Sequence, residues 1–232
     1  MELVSPDSLA ATLDAVNDAL FCGRKLSRAD RDSAAKWIAA RQGLPGSYAG
    51  MFAPTEMDRS DGIRLFTGEA VTTRAGTAHV LGEEAGRALI LLDVTLASVR
   101  DAQARAAEGM LERLRDAVQR ERNTGRPWLG QYCCGKCTAA LWRHLAAGGL
   151  EDQERHLAAG MQALKLHRDG SGKWRRYPFW YTALVLSEVR VELAMDELRY
   201  AAPAAERSLR RVGDGPFAQR RRVLAERVLG EC

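Results

Sequence analysis

Residues 160–189 read GMQALKLHRDGSGKWRRYPFWYTALVLSEV, and residues 109–145 read GMLERLRDAVQRERNTGRPWLGQYCCGKCTAALWRHL. Each stretch opens on Gly-Met and runs through a helical segment into a polar, glycine-bearing loop that ends at a tryptophan, Trp174 or Trp128. A new helix follows, with Thr-Ala near its start (Thr182-Ala183, Thr138-Ala139) and leucine soon after. A looser copy lies upstream, where WIAARQGLPGSY leads through a long loop to TAHVLGEEAGRALILL, with Tyr48 in the place of tryptophan. Helical hairpins that recur in this way bury their apolar faces only against their neighbours. The pattern predicts an all-α chain of stacked hairpins.

The rest of the chain agrees. Ser5-Pro6 offers an N-cap and a first-turn proline, and Leu9, Leu13, Val16 and Leu20 then share one helix face up to Gly23. Ser27 with Asp30 resembles a capping box opening a helix that runs to Gly43. Further helices are expected over 73–92, 98–122, 133–147, 151–167 and 178–200, with two more in the tail, split at Gly213-Asp214-Gly215-Pro216. The expected organisation is one domain over 1–232, with hairpins at about 28–92, 98–147 and 151–200 and C-terminal helices over 203–232.

These motifs resemble the repeats of α/α toroids, in particular the prenyltransferase and terpenoid (squalene-type) cyclase superfamily. RDGSGKW (168–174), followed by WYTALVL (180–186), carries most of the likeness, and RQGLPGSY (41–48) adds a Gln-Gly portion. The likeness covers roughly residues 30–200 and implies an α/α-toroid-like fold. With three or four hairpins that fold would be incomplete: an open arc, a small barrel, or half of a dimeric ring. A homodimer is therefore open. The superfamily's cyclases protonate their substrate with an Asp-x-Asp-Asp motif, and isoprenoid-diphosphate synthases use Asp-rich magnesium motifs. This chain has no Asp-Asp pair; its nearest approach is Asp58-Arg-Ser-Asp61. The fold analogy holds without its reaction.

Composition excludes several classes. The chain has 232 residues, 46% hydrophobic and 28% charged, the balance of a globular protein rather than a disordered one. Its longest apolar run, 88–96, is broken by Asp93 and is too short for a membrane span. The opening MELVSPDSLAATLD lacks a basic segment followed by an apolar core, so a cytoplasmic location is expected. The formal charge of +4 is spread along the chain, and the one dense block, QRRRVLAERVLG (219–230), carries no aromatic to stack on bases. Nucleic acid is not an expected partner. No G-x-x-x-x-G-K-S/T loop cradles a phosphate.

Three of the five cysteines fall within five positions, Cys133, Cys134 and Cys137. An odd total in a cytoplasmic chain argues against a disulfide framework. Alignment of Thr138 with Thr182 sets Cys134 opposite Pro178, at a first helical position with Cys133 near the N-cap. Cys134 and Cys137 have C-x-x-C spacing, and Cys133 and Cys137 are an i, i+4 pair, so the three make a candidate zinc set. His144 lies seven helical residues beyond Cys137, roughly 10 Å along the axis, too far to share the ion. A further ligand would have to come from His79, His156 or Cys22. Two other readings stay open: a thiolate activated by the helix N-terminus and Lys136, and small residues packed where helices meet.

His79, Glu83 and Arg87 follow at i, i+4 and i+8. In a cavity, His79 and Glu83 would be a candidate acid–base pair; on a surface, the row would be a ladder of weak ion pairs. Trp174, Tyr177, Phe179, Trp180 and Tyr181 crowd into eight positions, with Tyr132 at the comparable place of the other copy. Tyr132, Trp174, Tyr177, Phe179 and Trp180 are the candidate wall of a ligand cavity, or else core. The long connection 46–62, with Tyr48, Phe52 and Asp61, has the length of a lid or a linker. The functional expectation is binding or transformation of an apolar, isoprenoid-like small molecule in an aromatic-lined cavity, with zinc at the cysteines. The alternative is a non-catalytic helical scaffold for a protein partner.

Overall fold

The computed structural model describes residues 3–123, 132–211 and 213–231; Trp128 and Cys232 lie outside them. The described residues form an all-α protein with ten helices and one two-stranded ribbon. They divide into two compact units. The first draws on Met1–Phe66, Ala70–Asp116 and Ala147–Leu150, the second on Thr67–Glu69, Ala117–Ala146 and Glu151–Cys232.

In the first unit α1 (Leu9–Phe21), α2 (Arg28–Ala39) and α3 (Glu56–Asp61) pack on α4 (Arg74–Leu92), and the unit also takes in α5 (Ala97–Asn123) as far as Asp116. Between α3 and α4, β1 (Ile63–Arg64) pairs antiparallel with β2 (Ala70–Val71). Alanine, glycine and leucine dominate α4, and every residue from Thr77 to Leu89 is buried. A helix apolar on nearly all sides has no solvent face and becomes the core of its unit.

Buried Asp58 ties this unit together. Its carboxylate accepts from Ser8 Oγ at 2.7 Å, from the Leu9 and Thr55 N–H groups at 2.9 Å each, and from Ala10 N–H at 3.3 Å. One side chain thus satisfies the first amides of α1 and closes the capping box of α3. It also moves the start of α1 from the expected Ser5-Pro6 to Ser8, whose hydroxyl caps Ala11. The nearest counterpart of a cyclase acid motif is therefore a structural cap.

The second unit holds α6 (Gly135–Ala146), α7 (Gln153–Leu166), α8 (Phe179–Glu188), α9 (Val191–Leu209) and α10 (Ala218–Gly230). Here α8 packs against α6, α9 and α10, while α7 packs against α6 and α9. The single helix expected over 178–200 is two helices. Val189 and Arg190 are extended, with ψ of 150° and 131°, which lets α9 turn back along α8. α9 then continues through Pro203, beyond the expected end at Tyr200. The acquired packing outweighs the hydrogen bond that a proline forgoes.

The loop 168–174 is closed by the Arg168–Trp174 bridge and by Asp169 N–H donating to Lys173 O at 3.0 Å. Gly172 has φ of 88°, and a Cβ there would stand 2.9 Å from the Ala204 Cβ, so this position needs glycine on both counts. Asp169 Oδ1 accepts from Ser171 N–H and Ser171 Oγ at 2.8 Å each, and from Lys173 N–H at 3.2 Å. Led by the Ser171 N–H bond, these hold the carboxyl pKa down at about 2. A depressed acid contributes its stability above the unfolded carboxyl value, and loses it as pH falls through about 2. An NMR titration of the Asp169 carboxyl carbon should therefore show a midpoint near 2, and a midpoint at the ordinary aspartate value would mean the loop is not closed in this way.

Candidate functional site

Two groups of side chains, one in each unit, have the makings of a site. In the first unit, the loop following α2 and the first turns of α4 enclose a cleft of about 350 Å³, lined by Tyr48, Pro54, Arg59, Arg74, Ala75 and Ala78 together with Gly46 and Ser47. This is the expected long connection 46–62. It is no free strap, because Met51, Phe52, Ala53, Pro54 and Thr55 are all buried and Gln42 bridges to Phe52. Arg59 crosses the loop and donates through Nη2 to Pro45 O and Pro54 O, at 2.9 Å each. Arg74, the first residue of α4, is exposed and has no ion-pair partner among the described residues.

Behind the cleft, Tyr48 stacks on His79, ring centroids 3.9 Å apart and 25° from parallel. The Tyr48 hydroxyl accepts from Arg113 Nε at 3.1 Å. His79 Nε2 lies 3.2 Å from Glu83 Oε1, and their side chains are 3% and 0% exposed. The predicted row on α4 is thus buried, and it does not form a solvated ladder. Arg87 leaves it to donate to Asn17 Oδ1 of α1 at 2.6 Å, while Asn17 Nδ2 donates to Glu84 at 3.3 Å. Tyr48 lines the cleft and His79 and Glu83 do not. The pair supports the tyrosine from behind.

In the second unit the cysteines gather at the start of α6. Cys134 Sγ is 3.5 Å from Cys137 Sγ, and Cys133 Sγ is within 4.8 Å of Cys137 Sγ. Cys133 and Cys134 are exposed, Cys137 is buried, and none is in a disulfide. Cys134 and Pro178 occupy the same position, each accepting through its carbonyl the fourth residue's N–H, Thr138 or Thr182, at 2.9 Å. That position is the N-cap rather than the expected first helical residue, since α6 begins at Gly135 and α8 at Phe179. The Thr138 hydroxyl accepts from the Tyr132 and Cys133 N–H groups at 3.2 and 3.4 Å, which fixes the approach to the helix. At Gly135 any Cβ would collide with the Arg176 carbonyl oxygen. His144 is buried in α6. The lowered pKa of His156, on α7, comes from burial first and then from Arg155.

The aromatic cluster is mainly interior. Tyr132, Trp174 and Tyr177 are buried, and Phe179 and Trp180 are half-buried. Trp142, which sequence reasoning passed over, is fully buried and stacks on Tyr177 with centroids 5.5 Å apart and planes 8° from parallel. Trp174 Nε1 donates to Glu197 at 2.7 Å, and Arg168 grips the same carboxylate at 2.7 and 3.2 Å. Arg143, also passed over, makes a two-bond pair with Glu188 at 2.8 and 2.9 Å. An arginine on an otherwise apolar helix face was the available signal for it. Glu69 accepts from Tyr181 N–H at 3.1 Å, placing a carboxylate at the N-terminus of α8, where the helix dipole favours it. Among the described residues no helix is long and apolar enough to cross a membrane. Compared with protein-family models, curated proteins and solved structures, the chain gives no significant match in any of the three.

Proposed function

We propose that this protein binds a small amphiphile, with an apolar, isoprenoid-like body and an anionic head, in the cleft of the first unit. The observation that carries this reading is the cleft's lining. Tyr48, Pro54, Ala75 and Ala78 offer an apolar wall, while Arg59 and Arg74 offer two guanidinium groups. Its volume of about 350 Å³ falls at the small end of the range for ligand pockets. Arginine is suited to the head group because its planar fork meets carboxylate or phosphate through two bonds. Stacked on buried His79 and held at its hydroxyl by Arg113, Tyr48 is a rigid platform, so little side-chain freedom is lost when a ligand arrives. The function is binding; the buried His79–Glu83 pair positions Tyr48.

Calorimetric titration with geranyl phosphate, geraniol and inorganic phosphate tests this. Geranyl phosphate should bind more tightly than either part alone. Arg74→Gln should weaken it at least about tenfold, since a charge-assisted hydrogen bond contributes about 1.5–3 kcal/mol. Tyr48→Ala should weaken geraniol and geranyl phosphate alike. The reading fails if none of the three binds, or if both variants bind like the parent. It fails equally if Phe179→Ala alone removes binding, which would move the ligand to the aromatics of the second unit.

A further inference from the structure

We infer that Cys133, Cys134 and Cys137 form a zinc site in the second unit. Sulfur ligands sit about 2.3 Å from zinc, so two on one tetrahedral ion stand about 3.8 Å apart. The Cys134–Cys137 separation of 3.5 Å is close to that, and far from the roughly 2.05 Å of a disulfide. Cys133 Sγ, within 4.8 Å of Cys137 Sγ, is the third sulfur of the cluster.

The sulfurs cluster at the N-terminal end of α6, where the helix dipole carries partial positive charge, and Lys136 lies between Cys134 and Cys137 in sequence. Zinc takes cysteine as the thiolate, a soft sulfur ligand. The frame is organised before the ion arrives. Thr138 holds the Tyr132 and Cys133 amides, and Gly135 allows the Arg176 backbone to press on the helix start. Exposure of Cys133 and Cys134 gives the ion a way in, while burial of Cys137 gives it an anchor. Hard cations such as magnesium and calcium want oxygen ligands, which this set does not supply. The three sulfurs supply three of the four ligands a tetrahedral zinc takes.

The full chain, purified under reducing conditions and stripped with chelator, should take up one zinc per chain by elemental analysis. Titration with cobalt(II) should give a thiolate-to-metal charge-transfer band of the intensity that three sulfur ligands produce. Because Cys137→Ser alters a buried position and can cost structure, the exposed Cys133→Ser and Cys134→Ser variants are decisive. Each should weaken zinc at least tenfold and lower the cobalt band by about one ligand, whereas Cys22→Ser should change neither. Failure to bind metal overturns the site, as does full affinity in both exposed variants. So does a Cys134–Cys137 disulfide that forms equally with and without zinc.

Discussion

Replacing Trp174 with alanine should cost about 3–5 kcal/mol of unfolding free energy, the range for emptying a large aromatic site. The side chain is 3% exposed. It lies between Phe179 and Tyr200, with ring centroids 6.1 and 6.0 Å away. Truncation would leave a void bounded by α8, α9 and the 168–174 loop, and would strip Glu197 of its indole donor. Trp174→Phe should cost less, since it keeps a ring in place while Arg168 still pairs with Glu197. Urea denaturation of the two variants separates packing from hydrogen bonding. If Trp174→Ala unfolds at the parent's midpoint, the indole does not hold the loop to α9, and a purely ligand-binding role would be the better account.

The second large effect is expected at Glu188. Its carboxylate pairs with Arg143 through two bonds, and the arginine side chain is only 2% exposed beside Tyr181. Removing one partner of a buried pair costs about 3–5 kcal/mol because the remaining charge has lost the group that neutralised it. Glu188 is 20% exposed, so water supplies part of the loss and Glu188→Ala should fall near 3 kcal/mol. The double variant Arg143→Met, Glu188→Leu should recover most of that, since it removes the charge along with its partner. Thermal or urea unfolding of the two variants checks this. A Glu188→Ala protein as stable as the parent would mean the pair contributes nothing between α6 and α8.

The same contrast separates what could be read along the chain from what could not. Ser27 and Thr73 were legible as helix starts because their partners, Asp30 and Gly76, lie three residues away. The all-α class and the ends of α4, α5, α6 and α7 were legible for the same local reason, to within two residues. The short α3 was also within reach, since Thr55 and Asp58 have capping-box spacing, but it lay inside a stretch read as a loop.

What the chain by itself determined, then, is helix: 3.6-residue apolar periodicity and caps whose partners are neighbours in sequence. Everything that rests on partners far apart was decided by the tertiary structure. Asp58 resets the start of α1 across 49 residues, and Glu69 caps α8 across 112. The Val189–Arg190 break and the passage of α9 through Pro203 come from the need to lay α9 against α7, α8 and α10. The three cysteines were visible as a motif, yet only folding sets Cys134 and Cys137 3.5 Å apart. The cleft was not visible at all. It needs Tyr48 from the loop after α2 and Arg59 of α3 to meet Arg74 at the start of α4, and no local rule of spacing encodes a meeting of that kind.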